Sequence, residues 1–418
     1  MAKPGRVVVV GAGLAGAKTA QALREQGFGG SLTLVGDEPH PPYERPPLSK
    51  GYLQGKTQRD DVFVHPASWY AEHDVELRLG TRVAALRVAE RAAELADGTR
   101  LPYDRLVLAT GSSPRPLQVP GADLDGVLYL RRLDDSDRLR DVLAAPGTRL
   151  AIIGGGWIGL EAAAAARAAG LEVTVLEALS LPLGRVLGPE VAPVFADLHR
   201  GHGVDLRTDV RIASLRGGPA LGGGAAGRVA AVVLEDGSGV EADVVLAGVG
   251  ITPNTRLAVE AKLAVDNGIL VDEHLRTGAD DVFAVGDVAN AWHPVLRRRI
   301  RVEHWANALN QPAVAAANVL GGDEVYARQP YFYTDQYDLG MEYTGYIEPG
   351  GYDRVVFRGE ADSLEFIVFW LRQGRVLAGM NVNVWDVTDD ILALIGADGP
   401  VDVARLADPS VPLQKVVS

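Results

Sequence analysis

The sequence predicts an α/β protein: two successive doubly wound units, followed by a smaller C-terminal α+β domain. Three observations carry this. The apolar run Arg6-Val7-Val8-Val9-Val10 feeds the turn Gly11-Ala12-Gly13-Leu14-Ala15-Gly16, and a helical pattern follows. The same order returns at mid-chain, where Leu150-Ala151-Ile152-Ile153 leads into Gly154-Gly155-Gly156-Trp157-Ile158-Gly159. From about Tyr331 onward, β-branched and aromatic residues return, as in Phe366-Ile367-Val368-Phe369-Trp370-Leu371.

Each element has a local reason. Four valines in a row favour an extended strand buried on both faces. Gly11 permits a tight turn, Gly13 lets backbone approach a ligand, and Gly16 lets the helix over 15–26 lie close on the strand. That helix points its positive end at a pyrophosphate, and Gly27 stops it. A second strand, 31–35, ends near Asp37-Glu38, where a nucleotide ribose hydroxyl would sit. Next comes His40-Pro41-Pro42-Tyr43-Glu44-Arg45-Pro46-Pro47-Leu48-Ser49-Lys50. Its prolines fix φ and forbid regular pairing, so it reads as a stiff loop carrying charge, a common holder of ligands. Strands follow at 75–79 and 105–108, with a turn at Asp97-Gly98-Thr99. The second of these strands ends in the small residues Ala109-Thr110-Gly111.

The mid-chain copy continues into an alanine-rich helix to Ala169, closed by Gly170. A strand over 172–176 then ends at Glu177. One G-x-G-x-x-G is weak; two in the same context are strong, so both units read as Rossmann-like dinucleotide-binding domains. The stretch 216–227 is glycine-rich and reads as a mobile hairpin loop. Strands at 229–234 and 242–248 follow. The second ends in Val249-Gly250-Ile251-Thr252-Pro253-Asn254, an echo of Ala109-Thr110-Gly111 that suggests a return to the first domain. The run 281–289 delivers Gly286 and Asp287 at a strand's carboxyl end, where open α/β sheets place ligands. A helix over 305–320, a turn at Arg372-Gln373-Gly374-Arg375 and a short helix over 388–395 complete the chain. The expected domains are 1–112 with 250–325, then 113–249, then 326–418.

Composition narrows the function. With 418 residues there is room for two or three cored domains. A formal net charge of −13 argues against non-specific nucleic-acid binding. No signal peptide and no membrane-length apolar run is found, which reads as a soluble, cytoplasmic protein. The chain has no cysteine, which excludes disulfides, thiolate metal sites and redox thiols. Any electron chemistry must then belong to a cofactor or a partner.

Taken in order, the two glycine motifs, Ala109-Thr110-Gly111 and Val285-Gly286-Asp287 resemble two-dinucleotide flavoproteins of the glutathione-reductase fold. The loop Tyr43-Glu44-Arg45-Pro46-Pro47-Leu48-Ser49-Lys50 and the segment Arg301-Val302-Glu303-His304-Trp305-Ala306-Asn307-Ala308-Leu309-Asn310-Gln311 narrow this. They resemble the NADH-dependent ferredoxin reductases of the putidaredoxin-reductase and rhodocoxin-reductase type, which feed cytochrome P450 and Rieske oxygenases. The resemblance covers essentially the whole chain. It implies that NADH on the second fingerprint gives hydride to FAD, and that electrons then pass singly to a [2Fe–2S] ferredoxin. The missing thiol fits, because disulfide reductases and NADH oxidase relatives of this fold set a reactive cysteine beside the flavin.

The resemblance also implies roles. Gly11, Gly13, Ala15 and Gly16 hold FAD, and Asp37 or Glu38 accepts from the adenosine ribose. Arg45, Ala109, Thr110, Gly111 and Gly250 line the cofactors. Arg131, Val83 and Trp305 match FAD contacts, and Asp287 beside Gly286 meets the ribitol. Lys50 lies near the isoalloxazine and pairs with Glu161, the two forming the catalytic pair; a cation there would stabilise charge as the ring takes up hydride. Gly154, Gly156, Ile158 and Gly159 hold NAD. Glu177 selects NADH over NADPH, since a carboxylate accepts from a 2′-hydroxyl and repels a 2′-phosphate. An acidic ferredoxin needs a local cationic face on an acidic chain. Arg297, Arg298, Arg299 and Arg301 are the densest cationic run, and Tyr331 and Tyr333 match aromatics near the family's docking face. A rubredoxin reductase and a non-catalytic NADH-responsive flavoprotein resembling apoptosis-inducing factor are the alternatives. Monomer and homodimer both remain open.

Overall fold

The consecutive valines of Arg6–Val10 form the central strand of a parallel sheet, which explains why they do not alternate with polar residues. The computed structural model describes residues 4–218 and 227–416. The glycine-rich loop expected over 216–227 lies largely outside the described residues. The chain divides into two compact units.

The first unit comprises Met1–Pro46, Gln58–Ser113 and Ile251–Pro330. Its five-stranded sheet runs Val282–Ala284, Arg105–Leu108, Arg6–Val10, Ser31–Val35, Val75–Arg78, with every neighbour parallel. Val9 pairs with Leu34 on one side and Val107 on the other, so the strand ends line up. The helix Leu14–Glu25 follows the first strand and packs on the helix Trp305–Val319. A meander of Val83–Arg87, Ala92–Leu95 and Arg100–Pro102 adds a small antiparallel sheet. Its turn is the expected one, with the Thr99 amide donating to Asp97 Oδ1.

The second unit comprises Pro47–Thr57, Pro114–Gly250 and Tyr331–Ser418. Its parallel sheet runs Asp205–Arg207, Glu172–Leu176, Arg149–Ile153, Val244–Ala247, Val127–Leu128. The helix Trp157–Ala168 buries Ala162, Ala163, Ala164, Ala165 and Ala166, because it packs both on this sheet and on the strand Tyr331–Gln336. The chain from Tyr331 forms an antiparallel five-stranded sheet carrying the helices Thr388–Ile395 and Val403–Ala407. This sheet does not keep its core to itself. Phe332, Tyr343 and Trp370 join one apolar cluster with Leu160, Leu187 and Phe195, and the Trp370 indole donates to the Leu187 carbonyl at 3.1 Å. The strand Tyr331–Gln336 therefore has a wet face, Tyr331, Tyr333 and Asp335, and a buried face, Phe332, Thr334 and Gln336.

Candidate functional site

In the first unit the glycine turn is built by close approach. Gly11 has φ +113° and its amide donates to the Val35 carbonyl at 2.8 Å. A Cβ on Gly16 would stand 1.9 Å from the Gly11 carbonyl oxygen, which only glycine avoids. A Cβ on Gly13 would meet no described atom within 4 Å, so the turn is open on the side where a ligand would lie. Ala15 is buried in the helix behind it.

Around this turn the expected residues gather. Asp37 is exposed just past the second strand. The Glu38 carboxylate accepts from the Tyr43 hydroxyl at 2.5 Å and from Arg45 at 3.2 Å. Burial alone would lower the Arg45 guanidinium, but Tyr43, Glu38 and Asp287 together hold it above its ordinary value. The Ala109-Thr110-Gly111 strand end is clasped by Asn254. Thr110 Oγ1 donates to the Asn254 carbonyl at 2.9 Å, and Asn254 Nδ2 returns a bond to the Thr110 carbonyl at 2.8 Å. Gly286 has φ +74°, and its amide donates to Gln311 Oε1 at 2.8 Å, leaving Asp287 half-buried beside it. Trp305 opens its helix and donates to Glu44 Oε2 at 3.1 Å. Burial pushes the His304 imidazole down to about 4, against the pull of Asp287, so it is neutral at pH 7. The Val83 side chain belongs to the apolar core of the unit.

The second glycine turn, in the second unit, repeats the first. Gly154 has φ +106°, its amide donates to the Leu176 carbonyl at 2.8 Å, and a Cβ on Gly159 would stand 2.2 Å from the Gly154 oxygen. The Gly156 Cβ position is open among the described residues. Ile158, on the first turn of the helix, is 44% exposed, although large apolar side chains usually hide. Glu177 is locked by two backbone amides: Oε2 accepts from Gly155 at 2.7 Å, and Oε1 from Leu179 at 2.8 Å. Each oxygen keeps a further acceptor position, so the carboxylate is fixed and still able to accept. Arg131 stands at a helix entrance, where Asp135 accepts from the amides of Arg131 and Arg132. The Gly250 carbonyl accepts from the Arg115 amide.

The same unit holds the paired charges. Lys50 Nζ lies 2.6 Å from Glu161 Oε1, with the lysine side chain 14% exposed and the glutamate 3%. Two residues the sequence did not single out complete the pair. Ser49 Oγ donates to Glu161 Oε2 at 2.5 Å, and Thr334 Oγ1 donates to Glu161 Oε1 at 2.6 Å. A buried carboxylate is costly without such donors. The Lys50 ammonium also sits 5.3 Å from the Tyr333 ring centroid, within reach of a cation–π contact. Burial raises the neighbouring Asp335 carboxyl, with Lys50 opposing and Glu161 adding.

The arginine run is not one patch. Arg299 Nη1 donates to the carbonyls of Val271 and Asn290, at 2.7 and 3.2 Å. Arg301 pairs with Glu303 and donates to the Asp287 carbonyl. Successive residues of the short strand Arg298–Ile300 face opposite sides, which separates Arg298 from Arg299, while Arg301 lies beyond the strand. Arg297, at the turn with φ +53°, and Arg299 are both exposed, and Arg298 is half-buried. Tyr331, half-buried, donates to Glu342 Oε1 at 2.7 Å.

Two open glycine turns, each on a helix start and each with a carboxylate at the next strand end, fit two dinucleotides and define a nucleotide-dependent oxidoreductase. The chain matches the pyridine nucleotide-disulphide oxidoreductase family over residues 5–311 and the reductase C-terminal family over 331–417. It belongs to these families, and its cofactors are FAD and NAD(H). It is 40% identical to putidaredoxin reductase of Pseudomonas putida, over 99% of this chain and 96% of that one. It is 42% identical to the ferredoxin–NAD(+) reductase component of the anthranilate 1,2-dioxygenase system of Burkholderia cepacia, over 97% and 98%. The solved structure of the covalent putidaredoxin reductase–putidaredoxin complex matches with a TM-score of 0.93 at 39% identity, over 99% of this chain and 98% of that one. Among the described residues no helix is long and apolar enough to cross a membrane, and no group of ligands could hold a metal.

Proposed function

We propose that the protein is an NADH-dependent ferredoxin reductase that draws electrons from NADH and delivers them singly to a [2Fe–2S] ferredoxin serving an oxygenase in the cytoplasm. The observation that carries this reading is the Lys50–Glu161 pair, a fixed and nearly dry cation in a chain that has no cysteine to offer instead. Bound FAD supplies the exchange between a hydride, which carries two electrons, and carriers that take one. The residues of this chain do the rest. Gly11, Gly13 and Gly16 admit the FAD pyrophosphate, and Asp37 accepts from its ribose while Glu38 fixes Arg45. Gly154, Gly156 and Gly159 admit NADH, with Ile158 as an apolar contact. Glu177, fixed on its own loop, accepts from the 2′-hydroxyl and repels a 2′-phosphate. Lys50 places positive charge where negative charge accumulates during hydride transfer. For the acidic ferredoxin the cationic contacts are Arg297, Arg298 and Arg299, with Arg301 held to Glu303, in the first unit, and Tyr331 and Tyr333 are the aromatic candidates of the second.

The test is stopped-flow reduction of the purified yellow protein by NADH, followed by mixing with [2Fe–2S] ferredoxins and, separately, a rubredoxin. Rapid bleaching of the flavin and then reduction of a ferredoxin is the expected sequence. A protein that bleaches but reduces only rubredoxin, or whose reduced form reacts with no carrier, would overturn the reading.

A further inference from the structure

We infer that Thr334, Gln336 and His199 are positioning residues for the Lys50–Glu161 pair, tied to it by a one-way chain of hydrogen bonds. The inference rests on the role given to Lys50 above. It starts from what Glu161 can do. An ionised carboxylate only accepts. Its Oε1 takes bonds from Lys50 Nζ and Thr334 Oγ1, both at 2.6 Å. Thr334 has one hydroxyl proton, now committed to Glu161, so its oxygen is left to accept. Gln336 Nε2 supplies that bond at 3.3 Å. The amide then presents Oε1 to the His199 ring, 2.8 Å from Nε2. That nitrogen must carry the ring proton, which leaves Nδ1 as an acceptor for the Tyr337 hydroxyl at 3.3 Å. Every donor in the series points toward Glu161.

Placement makes the chain selective. Thr334, Gln336 and His199 are at most 1% exposed, so water does not substitute for these bonds. They come from two elements, the buried face of Tyr331–Gln336 and the helix Ala192–Gly201, and they fasten a third, the helix that carries Glu161. Aligned hydrogen bonds polarise one another, and they do so most in a dry interior. The chain orients charge and does not conduct protons, because passage through Gln336 would require its imidic acid form. Thr334 thus fixes the carboxylate from the side opposite Ser49, and the carboxylate fixes Lys50.

Three variants of the holoprotein test this. Thr334→Val keeps the shape and removes the hydroxyl, Thr334→Ser keeps the hydroxyl and removes a methyl, and Gln336→Met breaks the chain one link further out. Two quantities are read: acetylation of Lys50 by acetic anhydride, by peptide mass spectrometry, and the rate of flavin reduction by NADH. Thr334→Val is expected to raise Lys50 acetylation about threefold or more, the effect of losing roughly one hydrogen bond. It should slow flavin reduction about tenfold with NADH half-saturation held within about twofold. Thr334→Ser should restore both, and Gln336→Met should shift both in the direction of Thr334→Val by less. Unchanged Lys50 acetylation in Thr334→Val, or Thr334→Ser as impaired as Thr334→Val, overturns the inference. If Thr334→Val does not fold, Gln336→Met decides: wild-type Lys50 acetylation in it sinks the chain. Should Lys50→Ala reduce its flavin normally while Thr334→Val still exposes Lys50, the positioning stands and the role of Lys50 falls.

Discussion

Lys50 Nζ stands 2.6 Å from Glu161 Oε1, and the carboxylate end of this ion pair is almost wholly withdrawn from water. Removing one partner of a buried pair costs more than the pair contributes, because the other charge is left behind. Glu161→Ala abandons three donors at once, from Ser49, Lys50 and Thr334. We expect it to lower unfolding stability by about 3–5 kcal/mol, read from urea unfolding of the holoprotein. Glu161→Gln keeps one acceptor oxygen and should cost less. A loss within about 0.5 kcal/mol for Glu161→Ala, the size of an ordinary surface change, would show that the carboxylate is not dry in solution.

The same pair predicts a kinetic effect. Lys50→Ala leaves Glu161 with its two hydroxyl donors and leaves the first glycine turn untouched. Flavin content should stay full while flavin reduction by NADH slows by about a hundredfold, the scale of losing one preorganised donor at a centre of developing charge. Stopped-flow absorbance at the flavin band measures it. Unaltered rates with full flavin would remove Lys50 from the chemistry.

Much of this arrangement is legible in the sequence, and the reason is local. A glycine turn between a buried strand and a helix is specified by contiguous residues, so Gly11 to Gly16 and Gly154 to Gly159 announce themselves, as do the strands Arg105–Leu108 and Glu172–Leu176. Thr334 carries no such mark, because its bond to Glu161 joins residues 173 apart in the chain. Nor does the sequence show that Tyr43 and Arg45 pack on Glu38. In the arginine run contiguity tells only part of the arrangement: Arg297 and Arg299 are exposed, whereas Arg301 is turned to Glu303 and the Asp287 carbonyl.

Glu177 serves the loop and the ligand together, so its substitutions should separate two effects. Glu177→Gln keeps one carbonyl oxygen for the amides of Gly155 and Leu179 but removes the charge that repels a 2′-phosphate. The ratio of kcat/KM for NADH over NADPH should fall by about tenfold or more, with most of the change in KM. An unchanged ratio in steady-state assays would locate cofactor selection elsewhere.

At the hairpin between Ala289–His293 and Arg298–Ile300, the exposed cations are Arg297 and Arg299, with Arg298 half-buried between them. Paired substitution Arg297→Glu with Arg298→Glu should slow ferredoxin reduction at low salt and leave flavin reduction by NADH unchanged. Raising ionic strength from about 20 mM to about 300 mM should narrow the gap between variant and wild type, because exposed charges are screened within a shrinking Debye length. A wild-type rate that ignores salt would argue for an apolar docking face instead.

His199 gives the pH dependence of stability a definite sign. Burial pushes its imidazole down to about 4, the bond to Gln336 opposing and His202 adding. In the unfolded chain the same ring titrates near its ordinary value of about 6.5. Between these values the unfolded state binds a proton that the folded state refuses, so stability falls as pH drops below about 6.5 and this contribution levels off below about 4. Other histidines, among them His65, His293 and His304, are also lowered by burial, so the slope of the wild type alone does not isolate His199. Comparison with His199→Gln does. That variant retains a side-chain N–H for Gln336 and has nothing to titrate. Urea unfolding at about pH 7.5 should find it less stable than wild type. At about pH 5 its disadvantage should have shrunk by up to about 2 kcal/mol, since the wild type alone bears the cost of a neutral buried histidine. A disadvantage that stays constant across this range would mean that His199 titrates in the fold as it does in the unfolded chain, and one that grows toward pH 5 would mean that the fold holds it protonated, with no acceptor left at Nδ1 for the Tyr337 hydroxyl.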